Sequence, residues 1–226
     1  MKTYSFGTTV TGLAIPAFRW EEGGPEVLVI GGVHGDEPEG VIAAHALLRK
    51  FFDGFPFRLS LTLVPALNLD GVLAASRLNA RGVDLNRNLA TRDWDPKAHQ
   101  PRYNPGTEPN SEPENQALVS YLEKRKPRFV MSLHSWKPVL NVNGGCIAEA
   151  EAISKVNGYR IDESIGYPTP GCLGTYAGIE RDMPTLTFEI ERGLAPAAIV
   201  SDQVPAILAG LRSAERERRP VGQSQG

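Results

Sequence analysis

The stretch VLVIGGVHGDEPEG, Val27 to Gly40, changes character at its midpoint. An apolar run entering a pair of glycines reads as a buried strand and a turn, and EPEGVIAAHALLRKFF reads as a helix with Val41, Ala44, Leu48 and Phe51 on one face. Strand, turn and helix in that order open an α/β fold, whose sites gather at the carboxyl ends of strands. His34 lies at such an end, and His134, closing RFVMSLHS, lies at another.

Working outward, RLSLTLVPAL, RFVMSLHS and MPTLTFEIE are further strand candidates, and Ser111 with Glu114 forms a capping box opening a helix through about Lys124. The last helical pattern groups Val200, Val204, Ile207, Leu208 and Leu211, with a kink expected at Pro205. These signals predict one α/β domain over residues 1–212, its sheet covered by helices on both faces, and a charged, disordered tail over 213–226. Leu89 to Asn110 carries four prolines and no apolar period, so it reads as a long loop of the kind that is functional or disordered.

At 226 residues, 41% apolar, the chain is long enough to bury a substantial core. A net charge of -2 with interleaved signs offers no basic stripe for nucleic acid or a membrane surface. Nothing resembles a secretory leader or a span of about 18 apolar residues, and the reading is a cytoplasmic protein. Cys146 and Cys172 are too few for a disulfide framework and read as packed thiols.

A His and a Glu at i and i+3 near a helix start share a face, and imidazole with carboxylate suits zinc. A structural zinc would be closed by four protein ligands, often cysteines, and no cysteine cluster exists here. Taken alone, HGDE reads more simply as a helix N-terminus in which Asp36 and Glu37 satisfy the dipole.

The company of the motif changes that reading. SRLNARGVDLNRN (Ser76 to Asn88), SLHS with His134 and TLTFEIERG with Glu189 follow in order. Together these motifs resemble the zinc carboxypeptidase family, and GVDLNRN, SEPENQAL and IGYPTPGCLGTY are similar to its murein peptide amidase branch. The resemblance implies a twisted, mixed parallel and antiparallel sheet, and one Zn2+ per chain held by His34, Glu37 and His134. It implies Glu189 as general base, with Glu191 two residues on as the alternative, and Arg77 as oxyanion stabiliser, with Arg81 close by. Asn86 and Arg87 would hold the substrate carboxylate, and Tyr167 would lie over the substrate.

The implied reaction cleaves the bond between γ-D-glutamate and meso-diaminopimelate in murein tripeptide, a small peptide substrate, in cell-wall peptide recycling, with a homodimer allowed. General carboxypeptidase action, deacylation of the succinylglutamate desuccinylase or aspartoacylase type, and non-catalytic peptide binding are the competing readings. Asp84 is expected to orient the binding loop, Asp36 to support a ligand histidine, and Leu89 and Cys172 to line the pocket. His45 and His99 are assigned no role. Charged partners for the distal end of diaminopimelate are sought among Arg92, Asp93, Arg181, Asp182 and Arg192.

Overall fold

The computed structural model describes residues 1–98 and 100–216. Strand β3 is Glu26–Ile30, and its alternating side chains divide two apolar layers, Val27 and Val29 facing one core and Leu28 and Ile30 the other. Both faces are buried because the strand is central. Beside it run β1 (Lys2–Thr8), β2 (Ala14–Glu21), β4 (Ser60–Val64), β5 (Phe129–Trp136), β6 (Val139–Asn143), β7 (Ile161–Asp162) and β8 (Thr185–Glu191), in the order β1-β2-β4-β3-β5-β8-β6-β7. The centre, β4-β3-β5-β8, is parallel; β1 with β2, β2 with β4 and β6 with β8 pair antiparallel, and the short β7 runs parallel to β6. This is the expected mixed sheet.

Helices α1 (Pro38–Phe52), α4 (Ile147–Asn157) and α6 (Val204–Ala214) supply the core on one face, and α3 (Pro113–Arg125) that on the other. Short α2 (Leu69–Leu73) and the turn α5 (Pro196–Ala198) complete the described helices apart from 3-10 and π segments. In α1 the buried stripe is Ala43, Ala44, Leu47, Leu48 and Phe51, so Val41 is only partly covered and His45 is exposed. Pro38 suits the first helical turn, where a missing N–H costs nothing. Glu37, at the cap position, makes no capping hydrogen bond because its carboxylate is engaged elsewhere.

Three expectations change. The buried member of the last helical pattern is Ile199, not Val200, which is half exposed. The cause is a π-helical turn, Ile199–Gln203, whose wider winding carries the buried stripe five residues from Ile199 to Val204 before the α period resumes at Ile207 and Leu211. The Ser111–Glu114 capping box does not form: Ser111 Oγ donates to Glu112, and Glu114 accepts from Val10 N–H at 3.1 Å and Asn79 Nδ2 at 3.3 Å. Helix α6 runs to Ala214, fully buried, so the folded chain passes the 212/213 boundary; 217–226 and His99 lie outside the described residues.

Candidate active site

His34 follows β3 through Gly31 and Gly32; the latter has φ +57, and a side chain there would press on Ala66 and Val41. Glu37 stands one residue before α1, His134 lies in β5 and Glu189 in β8. Parallel pairing sets His134 directly beside Glu189. All four residues are at most 8% exposed, at the carboxyl end of the parallel strands.

The donor atoms of His34, Glu37 and His134 lie within 4.8 Å of one another. His34 Nδ1 is 2.9 Å from Glu37 Oε1, His134 Nδ1 is 3.0 Å from Glu37 Oε2, and the two Nδ1 atoms are 3.1 Å apart. The opposite ring nitrogens face Asp84 Oδ1 at 3.0 Å and Ser132 Oγ at 2.9 Å. A proton on each Nε2, donated to those oxygens, leaves both Nδ1 lone pairs and a carboxylate converging on one point. Lone pairs so arranged repel unless a cation fills the space, and two imidazoles with one carboxylate match an open zinc site. The residues present therefore fit zinc.

Electrostatics follow from burial and proximity. Burial opposes charge on His34, but Glu37 and Asp84 outweigh it and hold its pKa above the ordinary histidine value. Burial would raise Glu37 and Asp84; instead the histidines hold Glu37 well below the usual carboxylate range, and His34 and Arg77 do the same for Asp84. Glu189 is different: burial pushes it up to about 7, and its Oε2 has no hydrogen-bond partner among the described residues. A buried carboxylate with a free oxygen is a proton acceptor in search of a donor.

Arg77 donates to Glu37 Oε1 at 3.2 Å and to Asp84 Oδ2 at 3.0 Å, which points it into the site; Arg81 is exposed and pairs with Glu112 at 3.6 Å. Asn86 accepts from Leu173 N–H at 2.8 Å, keeping its amide hydrogens for a ligand, and buried Arg87 donates to the Asn86 carbonyl at 2.6 Å. A cleft of about 350 Å³ brings together His34, Glu37, Arg77, Asn86, Arg87, Tyr167 and Glu189. Glu191 is exposed, so of the two acids only Glu189 reaches it. Tyr167 stands at the rim, its ring centroid 5.7 Å from that of Trp136 and 6.5 Å from that of Tyr103.

Asp36 does not support a ligand histidine: it pairs with Arg192 at 3.2 Å, and Asp84 holds His34 while also capping the Leu85–Arg87 turn that presents Asn86 and Arg87. Leu89 is a core residue, whereas Cys172 does line the cleft. Sequence reasoning missed Tyr103, whose ring lies 5.2 to 5.4 Å from the guanidinium carbons of Arg77, Arg87 and Arg102. No period in its proline-rich loop marked it. Thr187 was missed as well, although its place two residues before Glu189, on the same face of β8, was a signal that could have found it.

Residues 1–167 match the family model for zinc carboxypeptidases. A murein peptide amidase A from Vibrio campbellii is 30% identical over 200 residues, 82% of this chain and 78% of that protein. One from Escherichia coli is 31% identical over 173 residues, 71% and 68% of the respective chains. Among solved structures, the Escherichia coli murein-tripeptide amidase superposes with a TM-score of 0.75 at 23% identity, covering 97% of this chain and 94% of that one. Carboxypeptidase A from Helicoverpa armigera gives 0.79 at 17% identity, covering 95% and 68%.

Proposed function

This chain belongs to the zinc carboxypeptidase family, and we propose that it is a murein peptide amidase, hydrolysing the bond between γ-D-glutamate and meso-diaminopimelate in murein tripeptide. The observation that carries the reading is the meeting, at one cleft, of the His34, Glu37 and His134 donor cluster, the buried Glu189 carboxylate with an unpartnered oxygen, and the Asn86 and Arg87 side chains. The two murein peptide amidases at 30% and 31% identity support this choice of substrate.

His34, Glu37 and His134 would hold the zinc. When bound, zinc supplies Lewis acidity towards the scissile carbonyl and lowers the pKa of a water towards about 7. Glu189 accepts the proton of the attacking water and returns it to the leaving amine as the C–N bond breaks. Its buried, unpartnered Oε2 suits that task. Arg77, held by Glu37 and Asp84, donates to the oxyanion as the carbonyl becomes tetrahedral, a role worth about 3 to 4 kcal/mol for a preorganised donor. Asn86 and Arg87 hold the α-carboxylate of diaminopimelate, which stands beside the scissile nitrogen as a peptide's C-terminal carboxylate does. Tyr167, with Trp136 and Tyr103, closes the rim over the substrate.

The corresponding setting is cell-wall peptide recycling in the cytoplasm; no described helix is long and apolar enough to cross a membrane. The test incubates zinc-loaded protein separately with murein tripeptide, an ordinary peptide and succinylglutamate, and identifies products by mass spectrometry. Free diaminopimelate with intact dipeptide is expected. Turnover of succinylglutamate alone overturns the reading.

A further inference from the structure

The far end of diaminopimelate carries an ammonium and a carboxylate on one carbon, and a cleft that encloses them must meet both charges. The charged residues suggested by the sequence are mostly turned elsewhere. Arg181 lies 3.6 Å over the Tyr176 ring, Asp93 accepts from Thr91 at 2.5 Å, and of the five named only Arg192 lines the cleft. The wall beyond Glu189 is instead uncharged.

On β8, Thr187 precedes Glu189 by two residues on the same face, and antiparallel pairing sets Asn141 of β6 opposite Thr187, with Asn143 two residues further on. These three line the cleft with Thr169, Cys172 and Gly174. Two strand residues cover about 7 Å. The four carbon–carbon bonds of about 1.5 Å joining the two amino-acid centres of diaminopimelate span roughly 5 Å when extended, so the reach matches. Asn141 Nδ2 donates to the Asp162 carbonyl at 3.2 Å, but its Oδ1, the Asn143 amide and the Thr187 hydroxyl have no hydrogen bond among the described residues. Gly174 makes room for this wall: a Cβ there would stand 2.1 Å from Asn143 Oδ1.

We infer that Asn141, Asn143 and Thr187 form the subsite for the distal zwitterion and that the subsite selects by being neutral, an inference that rests on the murein reading above. Amide and hydroxyl groups donate to a carboxylate and accept from an ammonium, so one uncharged wall serves both ends. The zwitterion brings its own counter-charge. A terminal lysine brings a lone ammonium into a cleft whose lining includes Arg77, Arg87, Arg102 and Arg192, with Glu37 and Glu189 the only acids among the described lining residues. Both acids are committed to the reaction centre, so that ammonium loses hydration without gaining a partner.

The test measures kcat and KM for γ-D-glutamyl tripeptides ending in meso-diaminopimelate, lysine and norleucine. The unmodified enzyme should prefer diaminopimelate to lysine, and the isosteric Asn143→Asp, which repels the distal carboxylate and pairs the ammonium, should shift that ratio towards lysine on the order of 100-fold. A ratio that stays within about threefold in zinc-loaded Asn143→Asp and Asn141→Asp overturns the inference. If either variant loses zinc, Thr187→Val decides: a KM raised about tenfold for the diaminopimelate peptide, with the norleucine peptide unchanged, supports the subsite, and equal effects on both overturn it. Failure of the parent reading looks different, since the unmodified enzyme then leaves the γ-D-glutamyl bond of all three peptides intact.

Discussion

Asp84→Asn changes one atom and should disturb three functions. The Asp84 carboxylate is fully buried; Oδ1 accepts from His34 Nε2 at 3.0 Å and Asn86 N–H at 2.9 Å, while Oδ2 accepts from Arg77 Nε at 3.0 Å. An amide in the same place has one oxygen and one NH2, and Arg77 can only donate. If the oxygen faces Arg77, the NH2 meets His34 Nε2 and the Asn86 N–H. The imidazole then satisfies the NH2 by moving its proton to Nδ1, which removes the lone pair aimed at the metal. If the amide turns over, two donors meet at Arg77 instead.

Zinc affinity should therefore fall roughly 10- to 100-fold, about 1.4 to 2.7 kcal/mol. Metal-free stability should fall by about 3 kcal/mol, the low end for breaking a buried pair, because Arg77 keeps Glu37. Competition with a chromophoric chelator gives the first number and urea unfolding the second. Asp36→Asn is the control, since Asp36 pairs with Arg192 rather than with a ligand histidine. Zinc affinity within about threefold of the unmodified protein would refute the tautomer argument, because a backing carboxylate that holds a ligand cannot be neutralised so cheaply.

Glu189→Gln should keep its zinc while kcat falls about 10²- to 10⁴-fold, and Glu191→Gln should stay active; the reverse pattern in steady-state kinetics would move the base two residues along β8. Glu37→Ala and His134→Ala should each lose most of the roughly one zinc per chain found by elemental analysis, and full occupancy in both would remove the ligand set. In metal-free protein the Glu189 carboxyl should titrate near 7, because burial disfavours its charge, so it becomes protonated as pH falls through that value. Zinc loading adds positive charge and should lower the midpoint in a carboxyl-carbon NMR titration; an upward move contradicts this electrostatic account. Gly171 has φ +71, and a Cβ there would lie 2.1 Å from the Arg87 carbonyl, so Gly171→Ala should cost at least about 2 kcal/mol in thermal unfolding and raise KM.

What the sequence disclosed depended on whether a signal was local. Strands β3, β4, β5 and β8 were visible as apolar runs, and the motifs of His34 with Glu37, of His134 and of Glu189 fell at or near the ends of β3, β5 and β8, whereas Ser76 to Asn88 lies beyond α2. The first hairpin was overlooked because β1 is largely exposed, although β2 buries Ile15 and Ala17 in alternation and Gly12 with φ +87 marks the turn. Ser111 and Glu114 had the spacing of a capping box, but Asn88, Asn79 and Val10 compete for the same side chains from distant parts of the chain. The π turn at Ile199 offsets the helical period by one residue, a change no fixed-period template registers. Asp84 was expected to order the loop, and it does; its bond to His34 spans fifty residues and left no local trace.

The pairing of His134 with Glu189 has an evolutionary consequence. Their spacing is set by the β5–β8 ladder, so the stretch from Glu163 to Gly174, which follows β7, is free to lengthen, shorten or be replaced without pulling ligand and base apart. That stretch carries Tyr167, Thr169, Cys172 and Gly174, which shape the cleft's selectivity. A single-residue deletion within either strand has the opposite effect, turning one member of the pair to the wrong face of the sheet. Mutation can thus retune what the enzyme accepts by insertion and deletion while its chemistry is inherited intact, and new substrate ranges in this lineage should arise by changes of loop length far more often than by changes of strand.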